Sequence, residues 1–277
     1  MIRRGHGSDF LLITQHDHAL IAGELAEAVG NDEFSAPVPL VPTITGIKLH
    51  DCGWPLHDDE PTLNADQLPL DVFETPREIA FNVWTASVER TTKKDAYAGL
   101  LVSLHVLSLS VIATEFVKPH AHFDLENPQD RFAVIKFQQR ELERQETLRA
   151  ELGLRSEKGA HHAVVREIPQ EMEDQLKFNF ALLQVMDQIS LAVCCTEPPM
   201  TSTRDLPTRP GGSRVKLSLA RNGNDVLVTP WPFLPPQVEL MIPVSRVPGK
   251  KYKDVAEFRA AYGEAPAEII TAIVRPG

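Results

Sequence analysis

Apolar residues recur at helical spacing along five stretches of the chain and predict five long helices. The first begins with "TQHD", in which Thr14 and Asp17 fit a capping box, and it ends near Val29. A shorter apolar stretch predicts a helix over about 44–52, which Gly53 ends. The long helices are expected at about 14–29, 75–90, 97–117, 127–153 and 169–195.

The helix expected over 97–117 is the most apolar of the five, and its length approaches that of a membrane-spanning helix. However, it contains His105, Glu115 and several hydroxyl side chains, and no second segment of this kind exists. We therefore favour a buried core helix and expect no membrane partner.

Alternating apolar residues predict short strands at both ends of the chain. Two strands flank the turn in "MIRRGHGSDFLLIT", and further strand patterns follow a Pro, Gly, Ser and Thr-rich stretch at about 197–212. We expect a mainly α fold, a helical body with antiparallel β segments from the N- and C-termini. Residues 1–196 would form the helical metal-binding domain with an N-terminal hairpin, and residues 197–277 a β-rich segment packed on the same domain.

Composition narrows the classes of partner. The 277 residues carry a formal net charge of −10 and have no stripe of Lys and Arg, so polymeric nucleic acid is not expected as a partner. The three cysteines, two of them adjacent, imply no disulfide framework. The apolar run after Arg3 and Arg4 is too short for a signal peptide, and we expect a cytoplasmic chain.

Potential metal ligands stand where apolar helix faces are expected. His18 shares a face with Ile21, Ala22 and Leu25, and His105 lies in the middle of the most apolar helix. Asp187 has apolar residues on both sides and no Lys or Arg within nine residues. An isolated buried carboxylate is too costly to persist, so it must be paired, protonated or bound to a cation.

His50 and Asp51 lie side by side near the end of the short predicted helix. Adjacent helical side chains diverge by about 100°. Metal bonds of about 2.0–2.2 Å still allow an imidazole and a carboxylate to meet above the groove between them. The pair therefore has the chemistry of half a metal site.

Each of these residues also has a plainer interpretation. A lone histidine on an apolar face is more often a hydrogen-bonded core residue than a ligand, and a lone aspartate in a helix is more often exposed or paired with Arg. The balance changes when the residues are taken together, because none of them has an obvious cationic partner. A metal site is then the better hypothesis.

These residues resemble the HD-domain superfamily of metal-dependent phosphohydrolases in their order along the chain. "HALIAGELA" from His18 is similar to the first helix of the superfamily, "HDCG" to the motif that names it, and "LLQVMDQISL" to the helix whose Asp returns to the metal. A second resemblance, through "TQHDHA", "HDCGW" and "LLVSLH", is to an uncharacterised bacterial family. The first resemblance implies an HD-like helical bundle and the metal ligands His18, His50, Asp51 and Asp187.

The resemblance also implies a reaction, hydrolysis of a phosphoester by metal-activated water, with a small phosphate or a nucleotide as substrate. The ion is expected to be divalent Mn, Fe, Zn, Co or Mg. Asp51, Asp17 and His105 are the expected catalytic residues, Asp17 as an orienting group or proton acceptor beside His18.

The chain departs from the superfamily where many members carry a Lys shortly after the His-Asp pair. Trp54 and Pro55 follow here, so a phosphate-neutralising charge must come from elsewhere. Lys48, Arg77 and Lys118 are weak candidates, for which a surface position is the better interpretation. His57 with the acidic residues 58–60 would line the site mouth or, more simply, form a surface loop.

Two other functions remain open. A di-iron oxygenase of HD type would need His105 together with His120 or His122 as further ligands. A non-catalytic module would keep the ion for structure or for sensing. All of these hypotheses require the ligand atoms of His18, His50, Asp51 and Asp187 to lie around one common centre, with His105 pointing toward it.

Overall fold

The structure is a computed structural model that describes residues 1–115, 126–155, 157–158 and 164–277. Its helices are α1 (Gln15–Glu27), α2 (Leu40–Lys48), α3 (Pro55–Asp58), α4 (Arg77–Lys94), α5 (Ala96–Glu115), α6 (Pro128–Glu151), α7 (Gln170–Cys194) and α8 (Val255–Gly263), with a 3-10 turn at Val72–Glu74. Its strands are β1 (Ile2–His6), β2 (Asp9–Ile13), β3 (Glu157–Lys158), β4 (Val164–Arg166), β5 (Ser202–Pro207), β6 (Arg214–Asn222), β7 (Asp225–Thr229), β8 (Val238–Pro248) and β9 (Ala267–Pro276).

Seven strands form one curled sheet in the order β1-β2-β8-β9-β7-β6-β5. The N-terminal hairpin joins the C-terminal strands because β2 pairs antiparallel with β8. The sheet is mixed, since β7 runs parallel to β9 while the other neighbours are antiparallel. The strands β3 and β4 form a separate pair.

The expectation of a mainly α, HD-like bundle with minor β segments is therefore wrong. The sheet is a substantial layer of the fold, and it is not purely antiparallel. Local alternation indicates where strands lie but not how they pair, and the pairing depends on contacts between distant parts of the chain. The register of Phe10 with Val247 is one such contact.

The main core lies between the sheet and the helices α1 and α7. Along β8, buried Leu240, Ile242 and Val244 alternate with exposed residues such as Met241, so one face of the sheet is apolar. These side chains belong to the same buried cluster as Leu25 of α1 and the apolar residues of α7. The burial fixes α7 between the sheet and the other helices.

A second core lies among α4, α5 and α6. Trp54, Val83, Val106 and Phe137 belong to it. Trp54 comes from the turn after α2, so this cluster holds that turn against α4. The turn itself, residues 49–54, carries His50 and Asp51. The expected helix over 44–52 instead begins at Leu40 and ends at Lys48.

Some predicted residues are not described. Lys118, His120 and His122 lie outside the described residues, as do His161 and His162. Among the described helices, none combines the length and apolar content that crossing a bilayer requires. The three cysteines are all unpaired.

Gly53 allows the turn to approach α4 closely. A Cβ atom at this position would lie 2.0 Å from the Val83 carbonyl oxygen and 2.7 Å from the Ser87 amide nitrogen, both of which are backbone atoms.

We expect Gly53→Ala to lower the free energy of unfolding by about 3 kcal/mol, because the turn must move away from the helix. Gly263→Ala is the matched control, since a Cβ there meets nothing within 4 Å. Urea unfolding measures both, and equal stability of the two variants would contradict this account of the turn.

Candidate metal centre

The carboxylate of Asp187 lies at the meeting point of three histidines. Its Oδ1 is 2.9 Å from Nε2 of His18 and 3.5 Å from Nε2 of His50. Its Oδ2 is 3.9 Å from Nε2 of His105. The three rings come from α1, the turn at 49–54 and α5, so distant parts of the chain converge on one residue of α7.

The hydrogen bonds of His18 fix which ring nitrogen faces Asp187. Ser190 lies three residues after Asp187 on the same face of α7, and its hydroxyl donates to the backbone carbonyl of His18 at 3.1 Å. The same hydroxyl oxygen is close to Nδ1 of His18, which must then be the N–H that donates to it. In the neutral ring, Nε2 therefore carries a lone pair, which points at the Asp187 carboxylate.

His50 has the same arrangement. Its Nδ1 lies 2.7 Å from the carbonyl oxygen of Ile47, so Nδ1 carries the hydrogen and donates it. Its Nε2 is buried and has no hydrogen-bond partner among the described residues. That atom faces Oδ2 of Asp51 and Oδ1 of Asp187, each at 3.5 Å. A buried lone pair opposite two carboxylate oxygens requires a cation or a proton between them.

The pKa values of His50 and Asp187 are shifted as expected where imidazoles lie against carboxylates. Burial alone would lower the pKa of His50, but the charges of Asp51 and Asp187 outweigh it and raise that pKa to about 9. Burial would raise the pKa of Asp187, yet the imidazoles of His18 and His50 hold it well below its usual range. Without another cation, a proton on His50 takes its place, and a bound metal ion would displace that proton.

Asp51 is held in place by a neighbouring side chain. The indole N–H of Trp54 donates to Oδ1 of Asp51 at 3.0 Å, which leaves Oδ2 directed toward His50. Burial raises the pKa of Asp51. The turn is tied to α4, because the Gly53 N–H donates to the Ser87 hydroxyl at 2.9 Å.

His105 approaches the other carboxylate oxygen of Asp187, Oδ2, whereas His18 lies against Oδ1. Its ring centre is 5.1 Å from that of His50. Its Nδ1 is buried without a partner among the described residues, and burial lowers its pKa to about 3. The side chain is thus a neutral imidazole near Asp187. The sequence predicts that His105 points toward the His50-Asp51 pair, and in the structure its ring lies beside that of His50.

The distances suit a small metal ion. Two ligands that share an ion through bonds of about 2.1 Å lie no more than about 4.2 Å apart. The separations of 2.9 and 3.5 Å around Asp187 Oδ1 and His50 Nε2 meet this limit. Two trios, His18 with His50 and Asp51, and His50 with His105 and Asp187, each place their ligand atoms within 4.8 Å of one another, so small side-chain shifts would bring either trio within the limit. Nitrogen and carboxylate ligands of this kind suit Zn²⁺, Mn²⁺, Fe²⁺ or Co²⁺.

Other predicted residues are engaged elsewhere. The carboxylate of Asp17 accepts a hydrogen bond from the Thr14 hydroxyl at 2.6 Å at the N-terminus of α1. Among the described residues, no hydrogen bond or ion pair joins Asp17 to the histidines. Asp58 accepts the amino group of Met1 at 2.8 Å and the Gln15 N–H at 2.9 Å. Lys48 pairs with Glu27, and Arg77 with Asp130. These contacts give the four residues structural roles.

Sequence reasoning missed Ser190 and Trp54, which orient two of the ligands. Each lies three residues after a ligand, Ser190 after Asp187 and Trp54 after Asp51. In α7 that spacing places both side chains on one helix face, so Ser190 could have been found from the pattern. Trp54 could not, because its approach to Asp51 depends on the fold of the turn.

A family model described as "Protein of unknown function (DUF3891)" matches residues 1–249, which is most of the chain. The comparison with curated proteins and the comparison with solved structures gave no match.

Trp54 provides a test of this centre. We expect Trp54→Phe to weaken metal binding by about 10- to 100-fold, because Asp51 loses the hydrogen bond that directs its free oxygen toward His50. Trp84→Phe is the matched control, since Trp84 lies in the same apolar cluster without a described contact to a ligand. Titration with Zn²⁺ or Mn²⁺ measures both variants. Equal affinities would mean that the hydrogen bond from Trp54 does not orient Asp51 toward the ion.

Proposed function

Because the chain belongs to the DUF3891 family, whose description gives no activity, we propose its function from the site: metal-dependent hydrolysis of a phosphoester, with chemistry of the HD type. The observation that carries the proposal is the pair of buried Nε2 atoms of His18 and His50, which face carboxylates and are free to bind a metal ion once the rings are neutral. The order of His18, His50-Asp51 and Asp187 along the chain supports the kinship with the HD superfamily. That kinship concerns the metal centre and not a mainly α fold.

The residues of the site have three different roles, namely binding the ion, orienting its ligands and accepting a hydrogen bond from water. His18, His50, Asp51 and Asp187 would hold one divalent ion, which supplies an acidified water and polarises a phosphoryl oxygen when bound. Ser190, Trp54 and the Ile47 carbonyl keep the ligands in the required orientation. His105 is neutral at pH 7, so its Nε2 can accept a hydrogen bond from an attacking water on the Asp187 side.

The burial of the cluster favours hydrolysis over surface binding of an ion. Among the described ligands Asp187 is the most exposed, at 13% against 1% for His18 and His50, so we place the approach of water and substrate beside Asp187. A small phosphorylated molecule fits this proposal. We also propose a cytoplasmic location, which the three unpaired cysteines support.

Asp51→Ala tests the proposed function. We expect the purified chain to hold a divalent ion and to hydrolyse at least one member of a panel of phosphomonoesters, phosphodiesters and nucleotides. Asp51→Ala should lower metal occupancy and reduce hydrolysis by at least about a hundredfold, with helix content unchanged. Asp66→Ala is the control, because Asp66 is exposed in the loop that follows. A metal-loaded protein that is inactive on the whole panel would contradict hydrolysis and favour a metal sensor.

A second candidate function is oxidation of a substrate by two iron ions. The observation that favours it is the second trio of ligand atoms, from His50, His105 and Asp187. A second ion would need more ligands than this trio offers. His120 and His122, the sequence candidates for them, lie outside the described residues.

His105→Leu decides between one ion and two. In the single-ion proposal we expect one ion per chain, unchanged in His105→Leu, while hydrolysis falls by roughly tenfold to a hundredfold because the water loses an acceptor. Leu has a similar volume, so a change in metal content would not come from a cavity. Elemental analysis of the purified proteins gives the count. Two ions per chain that fall to one in the variant would contradict the single-ion site and favour the di-iron function.

A further inference from the structure

Arg204 lies on β5 beside the open side of the cluster. Its backbone N–H donates to the side-chain Oε1 of Gln188 at 2.7 Å, and Gln188 directly follows Asp187 on α7. Asp187 and Gln188 are also the half-buried residues at this point of α7, whereas their neighbours Met186 and Ile189 are buried. The strand therefore passes beside Asp187, which is the most exposed of the described ligands.

The pairing of β5 is interrupted at Arg204 by a bulge. β5 is an edge strand, and its pairing with β6 shifts between Ser202 and Asp205. Within the bulge, Leu217 donates its N–H to the Thr203 hydroxyl at 3.1 Å, while Arg204 donates its own to Gln188. Bulges at sheet edges commonly redirect a side chain toward an active site.

Within the described part of the chain, the guanidinium of Arg204 has no counter-ion. Among the described residues it has neither an ion pair nor a side-chain hydrogen bond, although it is half-buried. Arg3, Arg149 and Arg246, which are also partly buried, each pair with a glutamate.

We propose that Arg204 binds the oxyanion group of the substrate at the mouth of the metal centre, which under the proposed function is the phosphoryl group. Two carboxylates balance a divalent ion, and the imidazoles are neutral, so a phosphoryl group would arrive at a site with little net charge. A guanidinium supplies the missing positive charge and two parallel N–H donors that match two phosphoryl oxygens. Lys48 and Arg77, the candidates from the sequence, already pair with Glu27 and Asp130.

The test measures the binding of inorganic phosphate to the Mn²⁺-loaded protein by isothermal titration calorimetry. We expect Arg204→Gln to weaken phosphate binding by about tenfold or more while Mn²⁺ stoichiometry stays the same. The phosphate affinity of Arg204→Lys should lie between those of the unchanged protein and Arg204→Gln, because an ammonium keeps the charge but not the paired donors. Arg214→Gln, an exposed arginine on the neighbouring β6, should bind phosphate like the unchanged protein.

The outcomes separate this inference from the proposed function. Equal phosphate affinity in the unchanged protein and in Arg204→Gln, both loaded with Mn²⁺, would overturn the role of Arg204 and leave the metal centre intact. Absence of Mn²⁺ from every variant would contradict the proposed function instead. Titration of the metal-free proteins with phosphate would then still test Arg204. Loss of phosphate binding in Arg204→Gln would support the anion site, and equal phosphate binding in both proteins would overturn it. If Arg204→Gln does not fold, as judged by circular dichroism, Arg204→Lys provides the comparison.

Discussion

The buried carboxylate of Asp187 is the constraint on which the rest of the structure depends. A charge in such a position needs cations around it, and three imidazoles from three separate elements approach its two oxygens. None of the three is an Arg or a Lys, which would neutralise the carboxylate permanently. Imidazoles can give up a proton to make room for a metal ion, so the choice of histidine makes the charge balance of this centre exchangeable.

The centre can be stable only if its ligands cannot move apart to escape their mutual repulsion. The turn at 49–54 is held from the α4 side by Ser87, by Arg90, which donates to the Cys52 carbonyl at 2.6 Å, and by Thr91, which donates to the Leu49 carbonyl at 3.3 Å. On α1, His18 is held by Ser190. Side chains locked by such contacts lose little entropy when a metal binds, and this preorganisation raises affinity.

Local patterns could predict the helical half of this site. The periodicity of α1 placed His18 inward, the capping box located its start at Thr14, and the apolar surroundings of Asp187 indicated that it needed a cation. The position of His50 and Asp51 in a turn could not be predicted, because the end of α2 at Lys48 depends on how Gly53 packs against α4. The position of Arg204 could not be predicted either, since its backbone contact with Gln188 depends on how β5 pairs with β6 and packs on α7.

The sheet, which sequence patterns underestimated, has a clear role in positioning the ligands. Successive residues on a helix point about 100° apart, so α7 can face two layers at once. Asp187 and Ser190 face the histidines, whereas Gln188 reaches the edge strand β5.

The apolar inner face of the sheet packs on the same helix, and Leu206 and Leu217 share a buried cluster with Met186 and Ile189. A helix held on one side by helices and on the other by a sheet cannot rotate without losing core contacts, and this fixes the direction of the Asp187 carboxylate. Asp187 is therefore as dependent on the strands as on the helices that supply its histidines.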